Sequence, residues 1–388
     1  MEQFNYHQTT KILFGKGRVN ELPEIVKNYG KKVMLVTTKA TIPALEQQYK
    51  RVISILTSSG IDVIHYDDVV PNPTINSVDN GGRIARDNNV DVIIGLGGGS
   101  SMDTAKAISV VATHPGSCWD YLFYKNPQLD NNKLLPIIAI TTTSGTGSHV
   151  TQVAVITNPT TRDKSAIFNN IIYPLVSIID PELMLSLPLF VTATTGFDVL
   201  CHAFESAINV NTSPYINIMS WEAISIVVEN LPCALKNLND IKYREKMAYA
   251  DLLGGLCIAN AGVTLPHGMG MAISGMYPHV VHGESLSIVY PAFAEFTWPS
   301  AIEKFAKLTR ILNLKYNNVG DVDAASHARE EIISFLQKIG LHKSLRDVNM
   351  PEEEIELLAN QCLVLPDYKA NPRVATKKEM LELVKQSY

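Results

Sequence analysis

The sequence has little net charge and no long apolar run. Its 33 lysine and arginine residues are outnumbered by 38 aspartate and glutamate residues, so the net charge is −5 and there is no basic excess to bind a phosphate backbone. No run approaches the roughly 18 apolar residues of a membrane span. The first residues lack the basic start and apolar stretch of a signal peptide. We therefore expect a cytoplasmic protein with no nucleic-acid and no membrane partner.

Cysteine is also scarce. The five cysteines are widely spaced and odd in number, and no two of them form a CxxC motif. They are Cys118, Cys201, Cys233, Cys257 and Cys362. This pattern is typical of a reduced, intracellular protein rather than a disulfide framework.

The chain is too long for one compact core, at 388 residues, so we expect two domains. Short apolar, β-branched runs alternate with helical patterns in the first half, which is typical of a parallel sheet covered by helices. The predicted strands are 32–37, 62–66, 91–95 and 136–140, and the predicted helices are 43–59, 75–88 and 101–113. Long helical patterns replace these runs after residue 187, at 193–208, 216–237, 243–260 and 300–312. We predict an α/β domain over 1–186 and a helical domain over 187–388.

A glycine-rich turn joins the third predicted strand to the next helix. Gly97, Gly98, Gly99 and Ser100 end the strand, and the helix that opens there directs free N–H groups and a positive dipole end at the turn. Asp103 could cap that helix. The turn departs from the GxGxxG fingerprint, and a tight turn without any ligand is the alternative. Its position in a βαβ pattern favours a phosphate-binding turn.

A second loop of small polar residues, 141–151, follows the fourth predicted strand. Its hydroxyl and N–H groups could bind the other end of one dinucleotide. The alternative is a loop whose side chains only satisfy its own backbone.

Histidines concentrate in the helical half. Asp198 and His202 are four residues apart, on one face of a predicted helix, and His267 and His282 are each followed by glycine. Three imidazoles and one carboxylate suit a divalent ion such as Fe(II), Zn(II), Co(II) or Ni(II). Any one of these histidines alone would be read as structural, and we take His279 as a neighbour of the site rather than a ligand.

Eight motifs follow one another along the chain: KILFGKG, PNPT, GGGSSMDTAKA, TTSGTGS, GFDVLCHAFE, NAGVTLPHG, HGESLSIVYP and NPR. Taken in this order, they resemble the iron-containing (group III) alcohol dehydrogenases, which are relatives of glycerol dehydrogenase and dehydroquinate synthase. The resemblance spans nearly the whole chain. It implies a Rossmann-like α/β nucleotide-binding domain followed by an all-α domain. It also implies a homodimer that uses a metal, Fe(II) before Zn(II), and NAD or NADP.

The same resemblance assigns roles to particular residues. The metal would be held by Asp198, His202, His267 and His282. The pyrophosphate would lie on Gly97, Gly98, Gly99 and Ser100, beside Asp103, with Asn72, Thr142, Thr146 and Lys164 lining the cofactor groove. The implied reaction is hydride transfer between an alcohol carbon and the nicotinamide, with the metal as Lewis acid.

Several positions depart from the family pattern, and two of them bear on proton transfer and cofactor choice. Many relatives have a second histidine four residues after the third ligand, and here that position is Met271, so solvent, a cofactor hydroxyl or His279 would take the substrate proton. The first predicted strand ends near Thr38 and Lys39, where relatives strict for NAD tend to have an aspartate. Without that carboxylate NADP becomes acceptable, so we expect Thr38 to influence cofactor choice. His267 and His279 are the residues that we expect to act in catalysis.

Two other functions stay open. A lyase of the dehydroquinate-synthase type would use a similar domain pair, but its polar substrate needs more Lys and Arg in the helical half than can be placed there. A metal-free binding protein is the remaining alternative. The resemblance implies a small alcohol or aldehyde as substrate, and we expect Met271, Met276, Tyr277 and the segment around Asp367 and Tyr368 to form the wall of its pocket.

Overall fold

The structure is a computed structural model that describes residues 3–125, 127–130 and 133–388. Its contacts define two compact units. The first contains residues 7–188 and 238–248, and the second contains 3–6, 189–237 and 249–388. The division of the sequence after residue 186 stays a prediction for the limits of the folding domains.

The first unit is built on a six-stranded parallel sheet with the order β1-β8-β5-β4-β2-β3. Its strands are β1 (Lys11–Phe14), β2 (Lys32–Thr38), β3 (Asp62–Val69), β4 (Val92–Gly97), β5 (Ile137–Thr141) and β8 (Val176–Ile179). Its helices are α1 (Leu22–Val26), α2 (Pro43–Thr57), α3 (Ile75–Asp87) and α4 (Gly99–Thr113). The predicted α/β class is confirmed, and the four predicted strands correspond to β2 to β5.

Both faces of this sheet are buried. Along β2, Val33 and Leu35 pack into one core together with side chains of α1 and α2. Met34 and Val36 point to the other face and pack into a second core, which includes side chains of α3 and α4. Helices therefore cover both faces, which explains why the central strands β2, β4 and β5 contain continuous apolar runs rather than alternating patterns.

An antiparallel hairpin, β6 (Val153–Asn158) and β7 (Asp163–Phe168), follows the loop after β5. It was not predicted from the sequence. The hairpin is joined to the rest of the unit through β6, because the N–H of Thr157 donates to the carbonyl of Pro73 at 2.7 Å.

The second unit is helical, as predicted. Its helices, with α7 shared between the units, are α5 (Leu189–Ile208), α6 (Pro214–Lys236), α7 (Ile241–Ala261), α8 (Leu265–Met276), α9 (His282–Thr297), α10 (Ile302–Leu312), α11 (Asp321–Ser326), α12 (Ala328–Lys338), α13 (Ile355–Gln361) and α14 (Lys377–Gln386). By length and composition α6 could cross a membrane, and so could the bent pair of α7 and α8. The apolar window of α6 is 56% buried inside the fold, as in the core helix of a soluble protein.

Candidate functional site

The four predicted metal ligands lie together in the helical unit. Asp198 and His202 project from one face of α5, His267 lies in the first turn of α8, and His282 begins α9. Asp198, His267 and His282 each place one ligand atom within 4.8 Å of the others. The ring of His202 stacks on that of His267, with 4.7 Å between the ring centroids. Helix geometry and three separate helices thus bring distant parts of the sequence to one point.

A glycine lets α9 approach α5 closely enough for this cluster to form. A Cβ atom added at Gly283 would lie 2.1 Å from the carbonyl oxygen of Thr194, which is one turn before Asp198. That distance is far below any real contact, so only glycine permits this approach of the two backbones. Because His282 precedes Gly283 directly, the close approach places its ring beside Asp198.

The geometry and chemistry of the cluster fit a divalent metal. The Nε2 atoms of His202 and His267 each lie 3.5 Å from Oδ1 of Asp198. Two donor atoms that bind one ion at about 2.1 Å in a tetrahedral arrangement are about 3.4 Å apart. Oδ1 of Asp198 and Nε2 of His267 are buried, and no described residue forms a hydrogen bond with either atom. Burying such polar atoms is costly, and a bound cation would remove that cost.

A carboxylate on the far side of His267 was missed from the sequence. Oε1 of Glu205 lies 2.6 Å from Nδ1 of His267. Its other oxygen accepts hydrogen bonds from the N–H and the hydroxyl of Thr264, at 2.8 and 3.2 Å. Glu205 is completely buried. Its position three residues after His202, on the same face of α5, was the signal that could have identified it.

The electrostatics of the cluster favour positive charge at its centre. Burial by itself raises the pKa of Asp198, but the neighbouring histidines outweigh it and lower that pKa to about 2. Burial lowers the pKa of His267, but Glu205 and Asp198 outweigh it and raise that pKa to about 10. Carboxylates on both sides of His267 therefore stabilise a cation between Asp198 and the histidines.

The structure does not bring His279 into this cluster. Its ring is exposed, and Nε2 lies 3.0 Å from the carbonyl oxygen of Val348. Its ring also contacts Tyr277 at a centroid distance of 6.3 Å. The catalytic role of His279 stays a prediction, and no geometry near the ligands supports it. Met271 has no group that could take a proton.

The two predicted cofactor loops meet at the carboxyl ends of β4 and β5. The N–H of Thr142 donates to the carbonyl of Gly97 at 2.9 Å. A Cβ atom on Gly98 would lie 3.1 Å from the Thr143 side chain, and one on Gly99 would lie 2.9 Å from that of Thr146. Glycine at these positions therefore leaves room between the loops at the N-terminus of α4, where a phosphate group can approach backbone N–H groups.

Asp103, on α4, forms hydrogen bonds with the second of these loops and with β6. Its Oδ1 accepts from the hydroxyl of Ser148 at 2.6 Å, and its Oδ2 accepts from the N–H of Val155 at 3.1 Å. The buried ammonium of Lys106 also donates to Ser148 and to the carbonyl of Val153. Both carboxylate oxygens of Asp103 thus accept from residues outside α4, so the expected cap of the first turn by Asp103 is wrong. Its predicted contact with the cofactor stays a prediction.

Three further predicted cofactor residues lie at neighbouring strand ends and loops. Lys164, on β7, donates to Oδ1 of Asn72 at 2.9 Å, and Asn72 has a left-handed backbone with φ of 55°. Thr38 ends β2, and its hydroxyl shares a hydrogen bond with the Tyr49 hydroxyl at 3.0 Å. The ammonium of Lys39 is exposed and lies 3.9 Å from the carboxylate of Asp68.

Two protein-family models match the chain, one after the other along the sequence. "Iron-containing alcohol dehydrogenase" matches residues 9–181, and "Fe-containing alcohol dehydrogenase family, C-terminal" matches residues 192–388. Together they cover both units.

Individual relatives match over almost the whole length. The 1,3-propanediol dehydrogenase of Citrobacter freundii is 33% identical over 99% of both chains. The NAD-dependent methanol dehydrogenase of Bacillus methanolicus is 32% identical, again over 99% of both. A crystal structure of an archaeal halo-thermophilic alcohol dehydrogenase from a Red Sea brine pool superimposes with a TM-score of 0.94, at 33% identity and with 100% of both chains covered.

Proposed function

The chain belongs to the iron-containing alcohol dehydrogenase family, and we propose that it interconverts a small alcohol and its aldehyde by hydride transfer to and from a nicotinamide cofactor. The observation that carries this proposal is the convergence of Asp198, His202, His267 and His282 at one point of the helical unit. The NAD-dependent relative of B. methanolicus supports the cofactor, and the C. freundii relative supports a short, polar alcohol as substrate.

Separate groups of residues would bind the metal and the cofactor. When bound, the metal supplies a Lewis acid for the substrate oxygen, and the nicotinamide carries the hydride. Asp198, His202, His267 and His282 would hold that metal. Glu205 accepts from Nδ1–H of His267, which leaves the Nε2 lone pair directed at the centre. In the other unit, the N–H groups at Gly98 to Ser100 would hold the pyrophosphate.

A lyase of the dehydroquinate-synthase type is not favoured. The relatives that match the whole chain are alcohol dehydrogenases. Apart from the ligands, Glu205 and Asp367 lie near the cluster, and both are carboxylates rather than the basic residues that a phosphorylated substrate would need.

A spectrophotometric assay tests the function directly. We expect protein stripped of metal to form no NADH from 1-butanol and NAD. Anaerobic addition of Fe(II) or Zn(II) should restore steady NADH formation, and the more active ion identifies the preferred metal. Turnover of a sugar phosphate with no net change in the cofactor would instead support the lyase. Equal rates with and without metal would contradict the proposed role of the cluster.

Cofactor choice is proposed to depend on Thr38. A carboxylate there would accept hydrogen bonds from the ribose hydroxyls of NAD and would repel the 2'-phosphate of NADP, whereas threonine repels nothing. We expect the wild-type enzyme to use NADP at least as well as NAD. Thr38→Asp should shift the preference toward NAD by about 1 to 3 kcal/mol, the scale of one charged contact.

The measurement is kcat/KM for both cofactors in wild type, Thr38→Asp and Thr9→Asp. Thr9 is exposed and lies outside the proposed cofactor site, so its substitution controls for the added negative charge alone. A wild-type enzyme already selective for NAD, with no change in Thr38→Asp, would refute the role of Thr38.

We further propose a cytoplasmic homodimer without a nucleic-acid or membrane partner. The five free cysteines support a reduced compartment. The net charge of −5 supports a lack of affinity for phosphate backbones. Light scattering on the purified protein tests the dimer.

A further inference from the structure

Strand β2 ends in two threonines whose hydroxyls are held by neighbouring side chains. The hydroxyl of Thr37 donates to the carbonyl of Thr38 at 3.0 Å, and it lies 2.8 Å from Nε2 of His65 on β3. Because the single proton of the Thr37 hydroxyl is used in the first bond, His65 is the donor in the second. The backbone carbonyl of Thr38 is therefore fixed by a side chain that the neighbouring strand also holds.

Tyr49, on α2, holds the side chain of Thr38. Its hydroxyl lies 3.0 Å from Oγ1 of Thr38, and among the described residues it is the one side chain that forms a hydrogen bond with that hydroxyl. Tyr49 is only 4% exposed, and its ring packs in the same core as Val33 and Leu35 of β2. The position of the phenol oxygen is thus fixed by core packing, independently of Thr38.

The chemistry of the two hydroxyls determines which of them donates. A phenol is a stronger acid than an aliphatic alcohol, so it is the better hydrogen-bond donor and the poorer acceptor. Tyr49 consequently donates to Thr38. The proton of the Thr38 hydroxyl then remains for an acceptor from solvent or from a ligand, and Thr38, which is half-buried, presents an O–H donor at the end of β2.

Thr38 lies at the edge of the sheet where the proposed phosphate-binding turn begins. Strand β2 is the parallel neighbour of β4, and β4 ends at Gly97. The carboxyl ends of neighbouring parallel strands meet at one edge of a sheet, where nucleotide-binding folds hold the pyrophosphate at one strand end and the ribose at the next. The donor of Thr38 is therefore on the side of the sheet where the adenosine ribose is expected.

We propose that Tyr49 is a positioning residue for cofactor choice: by donating to Thr38, it makes that hydroxyl a hydrogen-bond donor toward the 2'-phosphate of NADP. This inference rests on the proposed dehydrogenase function and deepens the role proposed for Thr38. A 2'-phosphate dianion offers only acceptor oxygens, so it needs a donor. The 2'-hydroxyl of NAD can pair with a donor or an acceptor, so a fixed donor gives it no comparable advantage.

Dissociation constants for NADPH and NADH test this role without reliance on turnover. The fluorescence of the bound dinucleotide gives both constants for wild type, Tyr49→Phe, Thr38→Val and the double variant, each loaded with metal. In Tyr49→Phe the Thr38 hydroxyl loses its fixed orientation, so the Kd for NADPH relative to that for NADH should rise about 2- to 10-fold, the equivalent of one neutral hydrogen bond. Thr38→Val removes the donor itself and should raise this ratio at least as much. In the Thr38→Val background, Tyr49→Phe should change the ratio no further, because no hydroxyl is left to orient.

Tyr121→Phe is the matched control. Tyr121 is a buried tyrosine of the same unit, and its hydroxyl donates to the carbonyl of Pro115. Its substitution also removes one buried phenol oxygen and should leave the ratio of the two constants unchanged, and the thermal midpoints of all variants are measured alongside. An unchanged or lower ratio in Tyr49→Phe, or a further rise in the double variant, would overturn the role of Tyr49. Failure of the wild type to bind either dinucleotide would instead overturn the proposed function.

Discussion

Alanine at position 267 is expected to abolish both metal binding and turnover. His267 is the central member of the cluster: its Nε2 atom lies 3.5 Å from Asp198, and its ring contacts those of His202 and His282. Replacement of a residue that only supports a ligand typically weakens metal binding about 10- to 100-fold, so loss of a ligand should exceed that range. Metal analysis of the anaerobically purified variant and NADH formation from 1-butanol measure the two effects.

His327→Ala is the control for this experiment. His327 is an exposed histidine of the same unit at the junction of α11 and α12, and its Nδ1 donates to the carbonyl of Asp323 at 2.8 Å. This variant should keep one metal per chain and full activity. If His267→Ala retained stoichiometric metal and normal turnover, the assignment of the metal centre would be wrong. Loss of activity with metal retained would leave His267 a role in turnover but not as a required ligand.

The sequence predicted the parts of the fold that have a strong local signal. Strands β2, β4 and β5 are buried on both faces, so each contains an apolar run between helices. The edge strand β3 is buried only at Tyr66 and Val69, and a shorter apolar pattern marked it. Strands β1 and β8 have four residues each, too few for a pattern, and they pair with strands far along the chain. The β6–β7 hairpin connects through a turn without the Asn-Gly or Asp-Gly pair that marks the commonest two-residue turns. Long-range pairing has no local signature.

Long-range contacts also limited what the sequence could predict about the site. Asp198 and His202 are one helical turn apart, so their common face follows from the sequence, and the family resemblance supplied His267 and His282. Glu205 could be placed on the same face, but its partner Thr264 is 59 residues away and becomes adjacent only when α5 packs near the start of α8. Likewise, the contact of Asp367 with Gly268 depends on the path of the segment before α14. Contacts made by packing determine these roles, and residue spacing cannot show them.

Glu205→Gln is expected to weaken metal binding while the protein stays folded. The carboxylate accepts from Nδ1–H of His267 with one oxygen and from Thr264 with the other. An amide has only one acceptor oxygen, so it must present an N–H group to one of these donors, and the charge that makes His267 a stronger ligand is lost. We expect the dissociation constant for the metal to rise about 10- to 100-fold. Competition with a chelator, followed by the absorption spectrum of the Co(II)-substituted protein, measures the affinity and the ligand field.

The control must separate a weaker ligand from a weaker fold, because loss of a buried acceptor alone costs about 1 to 3 kcal/mol. Glu331→Gln serves this purpose: Glu331 is a buried carboxylate on α12 that accepts from Asn313 and pairs with Lys315. Both variants should lower the thermal midpoint of the metal-free protein, since both leave donors without a full partner. Only Glu205→Gln should also lower metal affinity and alter the Co(II) spectrum, because only its carboxylate holds the proton on Nδ1 of a ligand. Equal metal affinity in the two variants would restrict Glu205 to a structural role at the start of α8.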